Sequence, residues 1–154
     1  MNKILVAVDN TKGSIKAVET LAEWAAMVQP KTIILLHVEQ MLGRSLIGES
    51  LESDMDLEEI RDALEGTDYK EKLDKRAGQI LAYHTQILVG VGFSGIKPMI
   101  KQGHAAEEIL ATAKEENVDL IVVGSRGKRR HDFLIGSVSR EVANSAKIPV
   151  LLVH

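Results

Sequence analysis

The 154-residue chain contains no cysteine, which removes disulfides, thiol nucleophiles and thiolate metal sites from its chemistry and fits a reducing compartment. Aromatic residues are scarce as well. Trp24, Tyr69, Tyr83, Phe93 and Phe133 are the whole set, too few for a platform on which single-stranded nucleic acid stacks. Neither sign of charge is in large excess: the formal net charge is −3, a poor match to a surface built for a polyanion. No apolar run approaches the roughly 18 residues of a membrane span, and Met1-Asn2-Lys3 leads into a short apolar strand, not a signal-peptide core. These absences predict a single domain over residues 1–154 in the cytoplasm, with neither nucleic acid nor membrane as partner.

What is present is a regular alternation. Four short runs rich in β-branched residues, Lys3 to Val8, Thr32 to Val38, Asp119 to Val123 and Ile148 to Val153, are apolar almost without interruption, as parallel strands covered on both faces must be. A fifth run, Gly95 to Lys101, contains Pro98. Proline cannot donate to a ladder, so this strand belongs at an edge. Between the runs the period becomes helical: Ile15, Val18, Leu21, Ala22, Ala25 and Val28, then Leu73, Ala77, Ile80, Leu81, His84 and Leu88, then Ala106, Ile109, Leu110 and Ala113. A last helix starts near Gly136 and turns Val138, Val142 and Ala146 inward. The alternation predicts an α/β fold, a doubly wound five-stranded parallel sheet with helices on both faces.

The stretch from Met41 to Gly66 breaks this rhythm. Between Glu49 and Glu71 ten acidic residues face only Arg61 and Lys70, a local charge of −8. It reads either as a solvated connecting helix or as a flap over a nearby site.

In an open parallel sheet, ligands sit outside the carboxyl ends of the strands where strand order reverses. The loop after the first strand begins Asp9-Asn10-Thr11, and Asp9 suits an Asx-turn that opens the next helix. The loop after the fourth strand is Gly124-Ser125-Arg126-Gly127-Lys128-Arg129-Arg130, leading to Gly136-Ser137-Val138-Ser139. Its glycines let backbone approach a ligand or take positive φ, its cations gather charge, and the helix N-terminus favours an anion. It is neither a Walker A loop nor a G-x-G-x-x-G fingerprint. The pattern alone fits a phosphate cradle and a turn with an N-cap serine equally well.

The segments Lys3 to Asp9, Leu35-Leu36-His37-Val38, Gly103 with Ile109, Asp119 to Gly127, Gly136 to Ser139 and Pro149 to Val153 together resemble the universal stress protein family over nearly the whole chain, the acidic stretch excepted. The resemblance implies strand order 3-2-1-4-5, homodimers and, in one branch, ATP, with or without magnesium, at the ends of strands one and four. It implies that Ala7 lines the adenine pocket, Asp9 faces the adenosine, Val38 offers backbone groups to the base edge, and Ser137, Val138 and Ser139 hold phosphates. Gly124, Gly127 and Gly136-Ser137 match that branch's G-x-x-G and G-S elements, but Lys128 to Ile135 forms a spacer of eight residues where the branch has nine. Two functions stay open: a nucleotide-binding sensor or regulator of the stress response, and an interaction protein of the same family that binds no nucleotide but an unknown protein partner. Slow ATP hydrolysis with Asp9 near a metal-bound phosphate is a third.

No histidine pair has a helical metal-ligand spacing, and Ser14 has no evident base, so the residues support no catalytic triad. The apolar strand Val150 to Val153 falls at the other sheet edge, where a second copy of the chain is its simplest cover.

Overall fold

The computed structural model describes residues 1–40, 68–125 and 135–154. The acidic stretch, and Arg126, Gly127, Lys128, Arg129 and Arg130 of the loop after the fourth strand, lie outside the described residues.

The strands are β1 (Lys3–Ala7), β2 (Thr32–Glu39), β3 (Ile96–Gln102), β4 (Leu120–Gly124) and β5 (Val150–Val153). The helices among the described residues are α1 (Lys12–Val28), α2 (Asp68–Gly90), α3 (Ala105–Glu115) and α4 (Ser137–Ser145). All pairings are parallel, as the alternation of elements predicted, and the order is β3-β2-β1-β4-β5, the order the resemblance implied, so it reverses between β1 and β4.

Each strand's two-residue period divides the core into two layers. Ile4, Val6, Val8, Ile33, Leu35 and Val122 pack against Ala17, Val18, Leu21 and Ala25 of α1 and Leu81 and Leu88 of α2. Leu5, Ile34, Leu36, Ile121 and Val123 face the other way, onto Ala106, Ile109 and Ala113 of α3 and Val142 of α4. Both faces of the central strands are thus dry, which explains their unbroken apolar sequence.

β3 is an edge strand. The Ile33 N–H donates to the Gly95 carbonyl at 2.8 Å, so the odd-numbered peptide groups of β3 face β2 and the imide nitrogen of Pro98 turns outward, where no ladder bond is lost. The helix stops also follow sequence chemistry. Gln29, in a left-handed conformation with φ 45°, ends α1 just before Pro30, and Asn117, with φ 52°, follows α3.

Candidate functional site

At the carboxyl end of β1 the backbone leaves the ladder, and two imidazoles take its carbonyls. His37 Nδ1 lies 2.8 Å from the Val8 oxygen, and His84 Nε2 lies 2.9 Å from the Asp9 oxygen. A carbonyl only accepts, so each of these ring nitrogens carries the proton. The Asp9 N–H donates to Ser14 Oγ at 2.9 Å, and Asp9 Oδ1 accepts both the Thr11 N–H at 2.8 Å and the Thr11 hydroxyl at 2.6 Å. This is the Asx-turn expected of Asp9. Thr11 then caps α1, its Oγ1 accepting the Ser14 N–H at 3.2 Å.

His84 was legible in the sequence only as one position of a helical stripe. It is 1% exposed and approaches Ser14 Oγ at 3.4 Å, so the structure supplies the serine with the imidazole neighbour that its sequence context lacked. The pair is not a nucleophile and its base. The proton on His84 Nε2 is committed to the Asp9 carbonyl, which leaves no lone pair there to receive one from Ser14. Burial pushes the His84 pKa below the ordinary imidazole range, opposed by its bond to the Asp9 backbone and by the Asp9 charge, while nearby His37 adds to the lowering.

At the end of β4, Gly124 serves packing. A Cβ there would lie 2.5 Å from the carbonyl carbon and oxygen of Gly13 and 3.0 Å from the Ser14 nitrogen. Its φ is not positive. Here the structure corrects the expectation of a positive φ: no unusual backbone angle is involved, and the missing side chain lets the first turn of α1 approach β4. Ser125 is fully buried and spent on the fold, its Oγ 2.8 Å from His154 Nδ1 and its N–H donating to the Val153 carbonyl.

The start of α4 is tied to the same peptide. The Gly136 N–H donates to the Ser125 carbonyl at 2.7 Å, and the Ser139 hydroxyl donates to the Gly124 carbonyl at 2.6 Å. The Ser139 hydroxyl proton is therefore spent, and its only donor left for a phosphate is the backbone N–H. Gly136 is the N-cap, and among the described residues no side chain caps the helix. The first helical bond runs from the Arg140 N–H to the Gly136 carbonyl, so the amides of Ser137, Val138 and Ser139 lie ahead of any intrahelical acceptor. Ser137 is exposed. Ala7 and Val38, half-buried at the ends of β1 and β2, belong to the layer that includes α4.

The peptide Gly124–Ser125 thus touches both the Asp9–Ser14 corner and the mouth of α4, bringing Asp9 and the Gly136 to Ser139 turn, on either side of the strand reversal, to one peptide. On the α2 side, Asp9, Asn10 and Ile15 also line a groove of about 390 Å³ with Arg76, Gln79, Ile80, Tyr83 and His84. Among the described residues no three acidic or histidine side chains converge as a metal site.

Comparison with known proteins returns one family. The model of the universal stress protein family matches residues 1–154. Universal stress protein YxiE of Bacillus subtilis is 34% identical over 159 residues, covering 99% of this chain and 99% of its own. The solved structure of hypothetical protein MJ0577, whose curated counterpart is a universal stress protein of Methanocaldococcus jannaschii, superposes with a TM-score of 0.76 at 27% identity, over 99% of this chain and 94% of its own. A universal stress protein of Archaeoglobus fulgidus, solved in complex with dAMP, shares the fold with a TM-score of 0.65 at 21% identity, over 100% of this chain and 98% of its own.

Proposed function

The chain belongs to the universal stress protein family, and from that premise we propose that it binds ATP at the β1–β4 reversal and acts as a nucleotide-dependent sensor or regulator of the stress response. The observation that carries this is the start of α4, with a glycine N-cap, held against the Asp9 corner through one peptide, Gly124–Ser125. Amides at a helix N-terminus, which have no intrahelical acceptor, are suited to phosphate oxygens, and Asp9 provides an acceptor for ribose hydroxyls. The donor set fits the ligand. The amides of Ser137 and Val138, with the exposed Ser137 hydroxyl, would hold phosphate, while Ala7 and Val38 would flank the base. The adenine nucleotide in the Archaeoglobus relative supports the same ligand class. Magnesium would accompany the triphosphate. A second copy of the chain would cover β5.

The test is thermal unfolding with and without magnesium ATP, checked by calorimetry. Ligand at about 100 times its dissociation constant adds about 2.7 kcal/mol of stability, and a clear rise in Tm is expected. No shift at millimolar ATP, with no heat of binding, overturns the proposal. That outcome would favour a dimeric interaction protein that binds no nucleotide, the reading supported by the eight-residue spacer Lys128 to Ile135.

A further inference from the structure

We propose that His84 is the positioning residue of the β1–α1 corner, donating its Nε2 proton to the Asp9 carbonyl and so fixing, from a helix 75 residues away, the backbone on which the nucleotide site is built. The other restraints from outside the turn act on its neighbours, His37 on the Val8 carbonyl and β4 on Gly13. Asp9 is held at its N–H by the buried Ser14 Oγ of the first turn of α1 and at its carboxylate by Thr11, two residues along the same turn. His84 adds, from α2, the bond to the Asp9 carbonyl itself. Its ring stands on α2, whose Ala77, Leu81 and Leu88 are buried in the sheet's core, so the donor is anchored by packing that the turn does not share.

The chemistry of the ring fits positioning and little else. Nε2 is committed as a donor, and Nδ1 is buried with no hydrogen-bond partner among the described residues. An unpartnered buried acceptor is a cost that an apolar residue at position 84 would not carry. The one thing histidine adds here is the proton given to Asp9. Tyr83 stands edge-on to the ring, with centroids 5.6 Å apart, and the Ser14 oxygen at 3.4 Å leaves it little freedom to turn.

The affinity arm of the test rests on the nucleotide reading above, whereas the other two do not. In His84→Gln the side-chain amide can place a donor where Nε2 stood; in His84→Leu the volume stays and the donor goes. Leucine should weaken ATP binding by about tenfold, the cost of losing one hydrogen bond to a buried group. It should also speed exchange of the Asp9 and Thr11 amides while the core amides of Val6 and Ile34 hold. Glutamine should restore both. Equal exchange at Asp9 in the leucine variant and the natural chain, or a glutamine variant no better than leucine, overturns the proposal. If the natural chain binds no ATP, the nucleotide reading falls and the exchange data still decide the role of His84. Should the leucine variant fail to fold, the natural chain decides by nitrogen NMR of the ring. A proton on Nε2 with Nδ1 bare is expected, and the opposite tautomer overturns the proposal.

Discussion

Two residues at the strand reversal carry consequences that can be measured one side chain at a time. Gly124 has room for hydrogen only, because a Cβ would meet the Gly13 carbonyl at 2.5 Å. The obstacle is backbone, which cannot rotate away like a side chain, so Gly124→Ala must push α1 off β4 at a cost of about 1–3 kcal/mol. Urea denaturation should show the lower midpoint with an unchanged slope. His84 makes stability depend on pH. Its folded-state pKa is lowered by burial, so between that value and the unfolded value near 6.5 the unfolded chain binds more protons than the folded one. The contribution is complete above about pH 6.5 and is lost as pH falls through the lowered folded value. Among the described residues, Asp9, His37, Arg76 and Tyr83 are the other ionisable side chains near the ring. The carboxyl pKa of Asp119 is lowered by the N–H groups of Lys3 and Asn2, and that of Glu116 by Lys97. Both titrate below the usual carboxylate range, in a more acid window. Tm should therefore be flat from pH 8 to 7 and begin to fall near 6.5, with that first decline absent in His84→Gln.

At the scale of elements, the sequence was read most successfully where a period repeats. Unbroken apolar runs at β1, β2 and β4 reported burial on both faces, and Pro98 reported an edge, because each is a property of one strand and its own hydrogen bonds. The Asx-turn at Asp9 was legible for the same reason: its partner Thr11 is two residues away. Contacts between distant elements were not legible. Nothing local to Gly124 says that Gly13 will press against it, and nothing near Ser14 says that an imidazole from α2 will arrive. The signal for His84 was a polar residue at an inward position of a helical stripe, which marks a buried bond without naming its partner. Thr11 joins the two scales. It caps α1 through Oγ1 and donates to Asp9 through its hydroxyl and N–H. Thr11→Ala should cost about 1 kcal/mol through the lost cap, a fall of about 2–4 °C in Tm for a domain of this size. Thr11→Ser keeps the hydroxyl and should recover most of it.

For the whole molecule, the two edges of the sheet present opposite surfaces. β3 carries Pro98 with its nitrogen turned outward and exposes Lys97 and Gln102, features that discourage another strand from adding there. β5 consists of Val150, Leu151, Leu152 and Val153, with no charge and no proline. The Ile121 N–H donates to the Pro149 carbonyl and the Ser125 N–H to the Val153 carbonyl. Odd-numbered peptide groups of β5 therefore face β4, and those of Val150 and Leu152 face outward. An open row of this kind on an apolar strand is a template for a second strand, and a two-fold copy of the chain closes it without leaving a further edge. The natural chain should scatter light as a dimer at micromolar concentration. Leu152→Pro removes only an outward N–H and leaves every bond to β4 in place, reproducing at β5 what Pro98 does at β3. It should give a monomer whose Tm, extrapolated to low concentration, matches that of the natural chain. A proline variant that remains dimeric would place the contact on side-chain surfaces away from the β5 backbone, and a natural chain that is monomeric would remove the dimer altogether.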